Sequence, residues 1–132
     1  MPKPKKYTYR LQVQEADLDE LLHVNNIIYL RYLQEAAIAH WYAIAPKAIQ
    51  ENTRWVVKSH QINYHKSAHM DDQLTISTWI EHFTAVTSLR KYEIKRGEET
   101  LVTAETLWIA LDTKTLKPKR LEQATIDLFF EI

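Results

Sequence analysis

Only one stretch of this 132-residue chain carries a sustained helical period, and β-type patterns lie on both sides of it. From Ile27 to about Ala45, the residues Ile27, Leu30, Leu33, Ala37, Trp41 and Ile44 recur along one stripe. A helix of that span is roughly 28 Å long. Asn25 or Asn26 supplies its N-cap, because an Asn side chain accepts from the free N–H groups of a first turn. Pro46 ends or kinks it, with a short continuation through Ile49 left open.

Ahead of the helix, Tyr7, Tyr9, Leu11 and Val13 alternate with Thr8, Arg10, Gln12 and Gln14, the period of a half-buried strand. Beyond it, segments near 54–66, 73–82, 86–96 and 99–112 are rich in Thr, Val, Ile, Trp and Tyr, as strands prefer. Gly97, the only glycine, marks the hairpin between the last two. A short amphipathic helix over Glu122 to Phe130 closes the chain. Strands of ten or so residues reach roughly 33 Å, which matches the helix. The expected architecture is α+β: a curled antiparallel sheet of about five strands wrapped around one long central helix, in a single domain spanning residues 1–132. Residues 1–6 are expected to form a flexible tail. One helix covers one sheet face, yet Trp108 stands opposite Leu107 and Ile109. A second copy of the chain is therefore expected to cover the remainder.

Composition excludes several classes of site. One glycine rules out the G-x-G-x-x-G turn, the Walker A loop and the G-x-S-x-G elbow, each of which needs several. With no cysteine there is no disulfide, thiolate metal site or cysteine nucleophile. The balance of 17 basic and 17 acidic residues gives no electrostatic case for nucleic acid. No run approaches the roughly 20 apolar residues of a membrane helix, and the Lys/Pro-rich opening lacks a signal-peptide core, so a cytoplasmic location is expected.

Chemistry concentrates in Asp17-Leu18-Asp19-Glu20-Leu21-Leu22-His23-Val24-Asn25-Asn26, followed by Tyr29 and Tyr32. Two carboxylates and a histidine stand just before a long helix whose first N–H groups and dipole favour a developing oxyanion. A carboxylate there can serve as general base or nucleophile, while Asp and Asn at a helix entry also serve as ordinary caps.

This run resembles the D-x-D-x-x-G-H-V-N-N-x-x-Y-x-x-Y signature of hotdog-fold thioesterases of the 4-hydroxybenzoyl-CoA thioesterase-like group. The resemblance continues through Ile62-Asn63-Tyr64-His65, Asp72-Gln73-Leu74-Thr75-Ile76, Ser88, Gly97 and Lys117-Pro118-Lys119-Arg120. It implies an acyl-CoA thioesterase with Asp19 as the catalytic carboxylate, attacking the thioester carbonyl directly or activating a water. It also implies an oxyanion contact from the backbone N–H at or near Asn26, with His23, Asn25 and Tyr29 shaping the site. The implied substrate is an acyl-CoA or acyl-carrier thioester, with coenzyme A as part of the substrate and no separate cofactor or metal. The implied assembly is a homodimer or a dimer of dimers. One position departs: Leu22 replaces the motif glycine, so loop geometry and acyl-channel width are expected to differ. The alternative is a hotdog protein that binds acyl-CoA or an acyl carrier without turnover, and a hotdog dehydratase is the weaker third reading.

Other candidates are assigned by chemistry. Arg90, Lys91, Lys117, Lys119 and Arg120 suit the phosphates of CoA. His65 and His69 have i, i+4 spacing but lie at a strand end and turn, where no metal site is expected. His40 is expected to be packed or partly exposed, Glu35 to lie at the surface or an interface, and Trp41, Trp55, Trp79 and Trp108 to fill core or interface.

Overall fold

A computed structural model describes residues 2–131; Met1 and Ile132, the ends of the expected tail and domain, lie outside the described residues. The elements in chain order are β1 (Lys3–Pro4), β2 (Tyr7–Gln12), α1 (Asn26–Ile44), α2 (Lys47–Asn52), β3 (Thr53–Tyr64), β4 (Gln73–Thr84), β5 (Thr87–Arg96), β6 (Glu99–Asp112), α3 (Gln123–Asp127) and β7 (Phe130–Glu131). A single 3-10 turn over Glu15–Asp17 lies between β2 and α1.

Five strands form one antiparallel sheet in the order β2-β4-β5-β6-β3. Alternation sends Leu74, Ile76, Thr78 and Ile80 of β4, Arg90, Tyr92 and Ile94 of β5, and Val102, Ala104 and Thr106 of β6 to the buried face. Register shifts between Val57 and Ser59, Ile80 and His82, and Ile94 and Lys95 add the local twist that lets the long strands curl. The sheet wraps α1, which is the hotdog arrangement. Leu89, Leu107 and Ile109 stand on the opposite face, half-buried.

The face of α1 that meets the sheet is rotated from the expected stripe. Tyr29, Tyr32, Leu33, Ala36, Ala37, His40 and Trp41 are buried, whereas Ile27 is 72% exposed. Polar-tipped side chains occupy core positions because each tip has a partner: Tyr32 on Asp17, Tyr29 on the Ala68 amide, His40 on Arg90. Of the two candidate caps, Asn25 serves, accepting from the Ile27 amide at 3.0 Å. After Pro46 a separate helix, α2, runs past Ile49 to Asn52.

The chain ends correct two expectations. Lys3 and Pro4 pair with Glu131 and Phe130, and the Lys5 amide donates to the Phe129 carbonyl at 3.0 Å, so this part of the supposed tail is held in a ladder. Phe129, fully buried in a second cluster with Trp41, Ala45, Ile80 and Leu121, anchors the segment that receives it. The closing helix is also shorter than expected, because the chain must turn at Leu128 to bring Phe129 inward.

Candidate active site

The loop between β2 and α1 is organised by its own acids. Leu18 bridges Val24, and the Asp19 amide donates to the His23 carbonyl at 2.8 Å, closing a tight turn. Within it, Asp19 Oδ1 accepts from the Leu21 amide at 2.9 Å and the His23 amide at 3.2 Å. Two donors fix the carboxylate through one oxygen. The other oxygen, Oδ2, has no hydrogen-bond partner among the described residues, and Asp19 lines an open cavity of about 690 Å³ with Leu18, Glu20, Leu21 and Asn25. Asp19 thus caps the turn through Oδ1 alone and leaves Oδ2 unengaged.

The turn places Leu22 at φ 61°, the left-handed region the motif fills with glycine. Backbone geometry is therefore preserved at a steric cost of roughly 1 kcal/mol. Leu22→Gly is expected to raise stability by about 0.5–1 kcal/mol, read as a higher denaturant midpoint at unchanged m-value.

At the start of α1 the first amides divide between two uses. The Asn25 amide donates to the Asp17 carbonyl at 2.9 Å, and the Ile27 and Ile28 amides return to Asn25. The Asn26 amide has no acceptor among the described residues, so it stands free at the positive end of a 19-residue helix.

Below this surface Asp17, 2% exposed, ties loop to helix. Its Oδ1 receives Arg31 Nη2 and its Oδ2 receives the Tyr32 hydroxyl, each at 2.6 Å, while the Gln14 amide adds a bond at 3.1 Å. Burial pushes the Asp17 carboxyl up, but the Tyr32, Gln14 and Arg31 bonds outweigh it and hold the group below its ordinary value. Sequence reasoning did not place this clamp in the site. The first Asp and second Tyr of the motif, 15 residues apart, carried the available signal.

Other expected site residues are dispersed. Tyr29 is buried and accepts from the Ala68 amide at 2.9 Å, which joins α1 to the loop after β3. It is a core strut. The His23 ring meets His69 edge-on, with centroids 5.0 Å apart, and the His69 amide is held by Asp72. Asp72 pairs with Arg96, which also binds Glu99. His65 turns instead to β6, where its ring bonds Thr103. Glu35 contacts Arg31 and Tyr9, each at 3.5 Å, and so serves the Asp17 clamp.

The basic candidates do not form one cluster. Arg90 is 4% exposed on the inner sheet face, and its Nη1 bonds His40 Nδ1 at 2.8 Å and Thr78 Oγ1 at 3.0 Å. That removes it from the phosphate-binding candidates, because a guanidinium shut beneath α1 cannot reach a nucleotide. Burial lowers Arg90 to about 10, and burial together with the Arg90 cation pushes His40 down to about 3, leaving the imidazole neutral. Lys91 lies on the outer face in the row with Trp79 and Glu105. Lys119 Nζ bonds the Asn52 carbonyl at 2.9 Å, so the Lys117–Arg120 segment sits where β3 begins. Asp19 and Asn26 stand where β3 ends, since the Tyr64 hydroxyl reaches the Asn26 carbonyl at 3.4 Å. Twelve strand residues, roughly 35 Å, separate the two within one chain. Among the tryptophans, Trp41, Trp55 and Trp108 pack in or against the core, while Trp79 lies under Lys6.

The sequence profile of the acyl-ACP thioesterase N-terminal domain family matches residues 3–129. The chain belongs to this thioesterase family. A similar curated relative is the long-chain acyl-CoA thioesterase FadM of Escherichia coli, 29% identical over 120 residues that cover 86% of this chain and 89% of FadM. Among solved structures, a probable thioesterase from Bartonella henselae is 26% identical with a TM-score of 0.77, covering 89% of this chain and 98% of that one. Slr0204, a 1,4-dihydroxy-2-naphthoyl-CoA thioesterase from Synechocystis, shares the fold with a TM-score of 0.81 at 22% identity, covering 95% and 96%. The thioesterase family thus accounts for the element order and the position of the motif loop together.

Proposed function

We propose that this thioesterase-family chain hydrolyses acyl-CoA thioesters to the free acid and coenzyme A, with Asp19 as its catalytic carboxylate. The observation that carries the reading is the division of labour within that side chain: two amides hold Oδ1, Oδ2 has no partner among the described residues, and the residue lines an open cavity. Oδ2 either adds to the thioester carbon or takes the proton of an attacking water. The carbonyl oxygen then gains negative charge, and the free Asn26 amide at the helix N-terminus is the donor suited to receive it. His23 borders the turn and Asn25 holds the first helical turn in place. The test is release of free thiol from a panel of acyl-CoA and acyl-carrier thioesters. Binding without any thiol release would leave the non-catalytic reading in its place.

The 132 residues act as one domain and assemble as a homodimer through β3. That strand pairs with β6 on one side and offers 12 residues of unpaired edge on the other. Antiparallel pairing of two such edges about their midpoint sets the start of one β3 beside the end of the other. It would bring Lys117, Lys119 and Arg120 of a second copy to the Asp19 side of the first, which supplies cations for CoA phosphates beside a cavity that no lysine or arginine lines. Lys58 is skipped in the β3–β6 register, so Lys58→Pro should block the edge at little cost to the sheet. Sedimentation is expected to show a dimer for the native chain and a monomer for Lys58→Pro. With Lys119→Ala and Arg120→Ala combined, KM for acyl-CoA should rise roughly tenfold at nearly constant kcat. Unchanged KM would remove these residues from the CoA site.

A further inference from the structure

We propose that Leu18, Leu21 and Leu22 form an acyl-selecting wall beside Asp19, favouring long aliphatic thioesters over short or polar ones; the inference rests on the hydrolytic reading of Asp19. Leu21 and Leu22 are 73% and 68% exposed, and Ile27 on the first turn of α1 is 72% exposed. Large apolar side chains thus crowd the one loop that carries the proposed catalytic carboxylate. Leu18 and Leu21 line the same open cavity as Asp19. Leu22, at φ 61°, occupies a conformation that glycine or asparagine adopts with less strain, and its exposed side chain adds nothing to the core. A strained, exposed leucine at such a point is a feature that folding does not explain.

Charge identifies the occupant. Glu20 is the charged companion of Asp19 in that cavity, and no lysine or arginine among the described residues lines it. Within the cavity itself the carboxylates disfavour a polyanionic nucleotide, whose phosphates the second copy's cations hold beside it, whereas an aliphatic chain leaving the thioester carbon meets leucine. Size agrees: the exposed faces of Leu21, Leu22 and Ile27 offer roughly 400 Å² at most, about half of the 800 Å² per partner of a stable protein interface. An acyl chain is the better match.

The experiment uses the full chain with acetyl-, hexanoyl-, dodecanoyl- and palmitoyl-CoA, alongside thioether analogues of the same lengths that cannot be hydrolysed. For the native protein kcat/KM and analogue affinity are expected to climb with chain length, by roughly fiftyfold or more between two and twelve carbons. Leu21→Ser and Leu22→Asn remove apolar surface, and asparagine tolerates the left-handed turn, so each should flatten that slope roughly fivefold. An unchanged slope in both variants overturns the proposal. So does a shift in their monomer–dimer equilibrium at unchanged slope, which would assign the leucines to a second copy. If no ester is hydrolysed but analogue binding keeps a length dependence that Leu22→Asn weakens, the wall stands and the hydrolytic reading falls.

Discussion

Asp19→Asn is expected to lower kcat roughly 10³-fold, about 4 kcal/mol of transition-state stabilisation, while leaving the fold intact. The separation of effects follows from which oxygen does what. Asparagine keeps a carbonyl oxygen, and that atom can go on accepting from the Leu21 and His23 amides. The turn survives. What asparagine lacks is a charged second oxygen able to take a proton or attack a carbon. Thermal stability should therefore move by less than about 1 kcal/mol. Acyl-CoA binding should persist, because no binding contact is removed. A protein with full activity after this change would carry its catalytic group elsewhere. Loss of activity with loss of folding would show that Asp19 is chiefly a turn cap. Single turnover of the native enzyme in ¹⁸O-labelled water, with and without hydroxylamine, separates the two chemical routes. Label entering Asp19, or an acyl group trapped by hydroxylamine, marks an acyl-enzyme; label confined to the product acid with nothing trapped marks a general base.

Much of the architecture was legible because period and packing coincide. The long alternating run from Leu101 to Leu111 could only be a strand, and β6 spans Glu99–Asp112 as a partner of both β5 and β3. The helix was equally plain from Pro46 and the Asn pair, and its observed span differs from the expected one by a single residue at each end. Its buried face was not legible. A stripe scored on aliphatic residues selects Ile27 and passes over Tyr29, Tyr32 and His40, since their burial depends on partners far off in the chain: Ala68, Asp17 and Arg90. Arg90 itself shows the same blindness, because a basic residue between Leu89 and Lys91 reads as surface until His40 and Thr78 are seen to receive it. The pairing of Lys3–Pro4 with Phe130–Glu131 joins the two ends of the chain, which no local pattern announces.

In the site, the motif located Asp19, yet the residue beneath it is the one whose removal should damage the structure most. Asp17→Ala would leave the buried Tyr32 hydroxyl without its acceptor, free the Gln14 amide and release Arg31. Arg31 is half exposed and recovers water, so its share is small; the Tyr32 hydroxyl, on a side chain 1% exposed, cannot. The expected loss is about 3 kcal/mol, seen as a fall in Tm of roughly 10 °C. The Asn25 amide also straps the helix entry to the Asp17 carbonyl. Loosening residue 17 therefore loosens the start of α1, and kcat should drop as well.

The pH dependence has a fixed sign. The folded carboxyl of Asp17 lies below its ordinary value, so its contribution is complete at neutral pH, where both the folded and unfolded groups are ionised. It is lost as pH falls below about 4 and the folded group takes up its proton. Native protein and Asp17→Ala should therefore differ most in stability between about pH 6 and 8, and the gap should narrow in acid as the charged part of the clamp is lost. Asp17→Asn retains an acceptor for the Tyr32 hydroxyl and should fall between the two, with a flatter acid limb than the native chain. Urea titrations of the three proteins at about pH 7 and about pH 3.5 make the comparison. A gap that is equal at both values would mean that Asp17 acts through its shape and neutral hydrogen bonds, with its charge contributing nothing to the clamp.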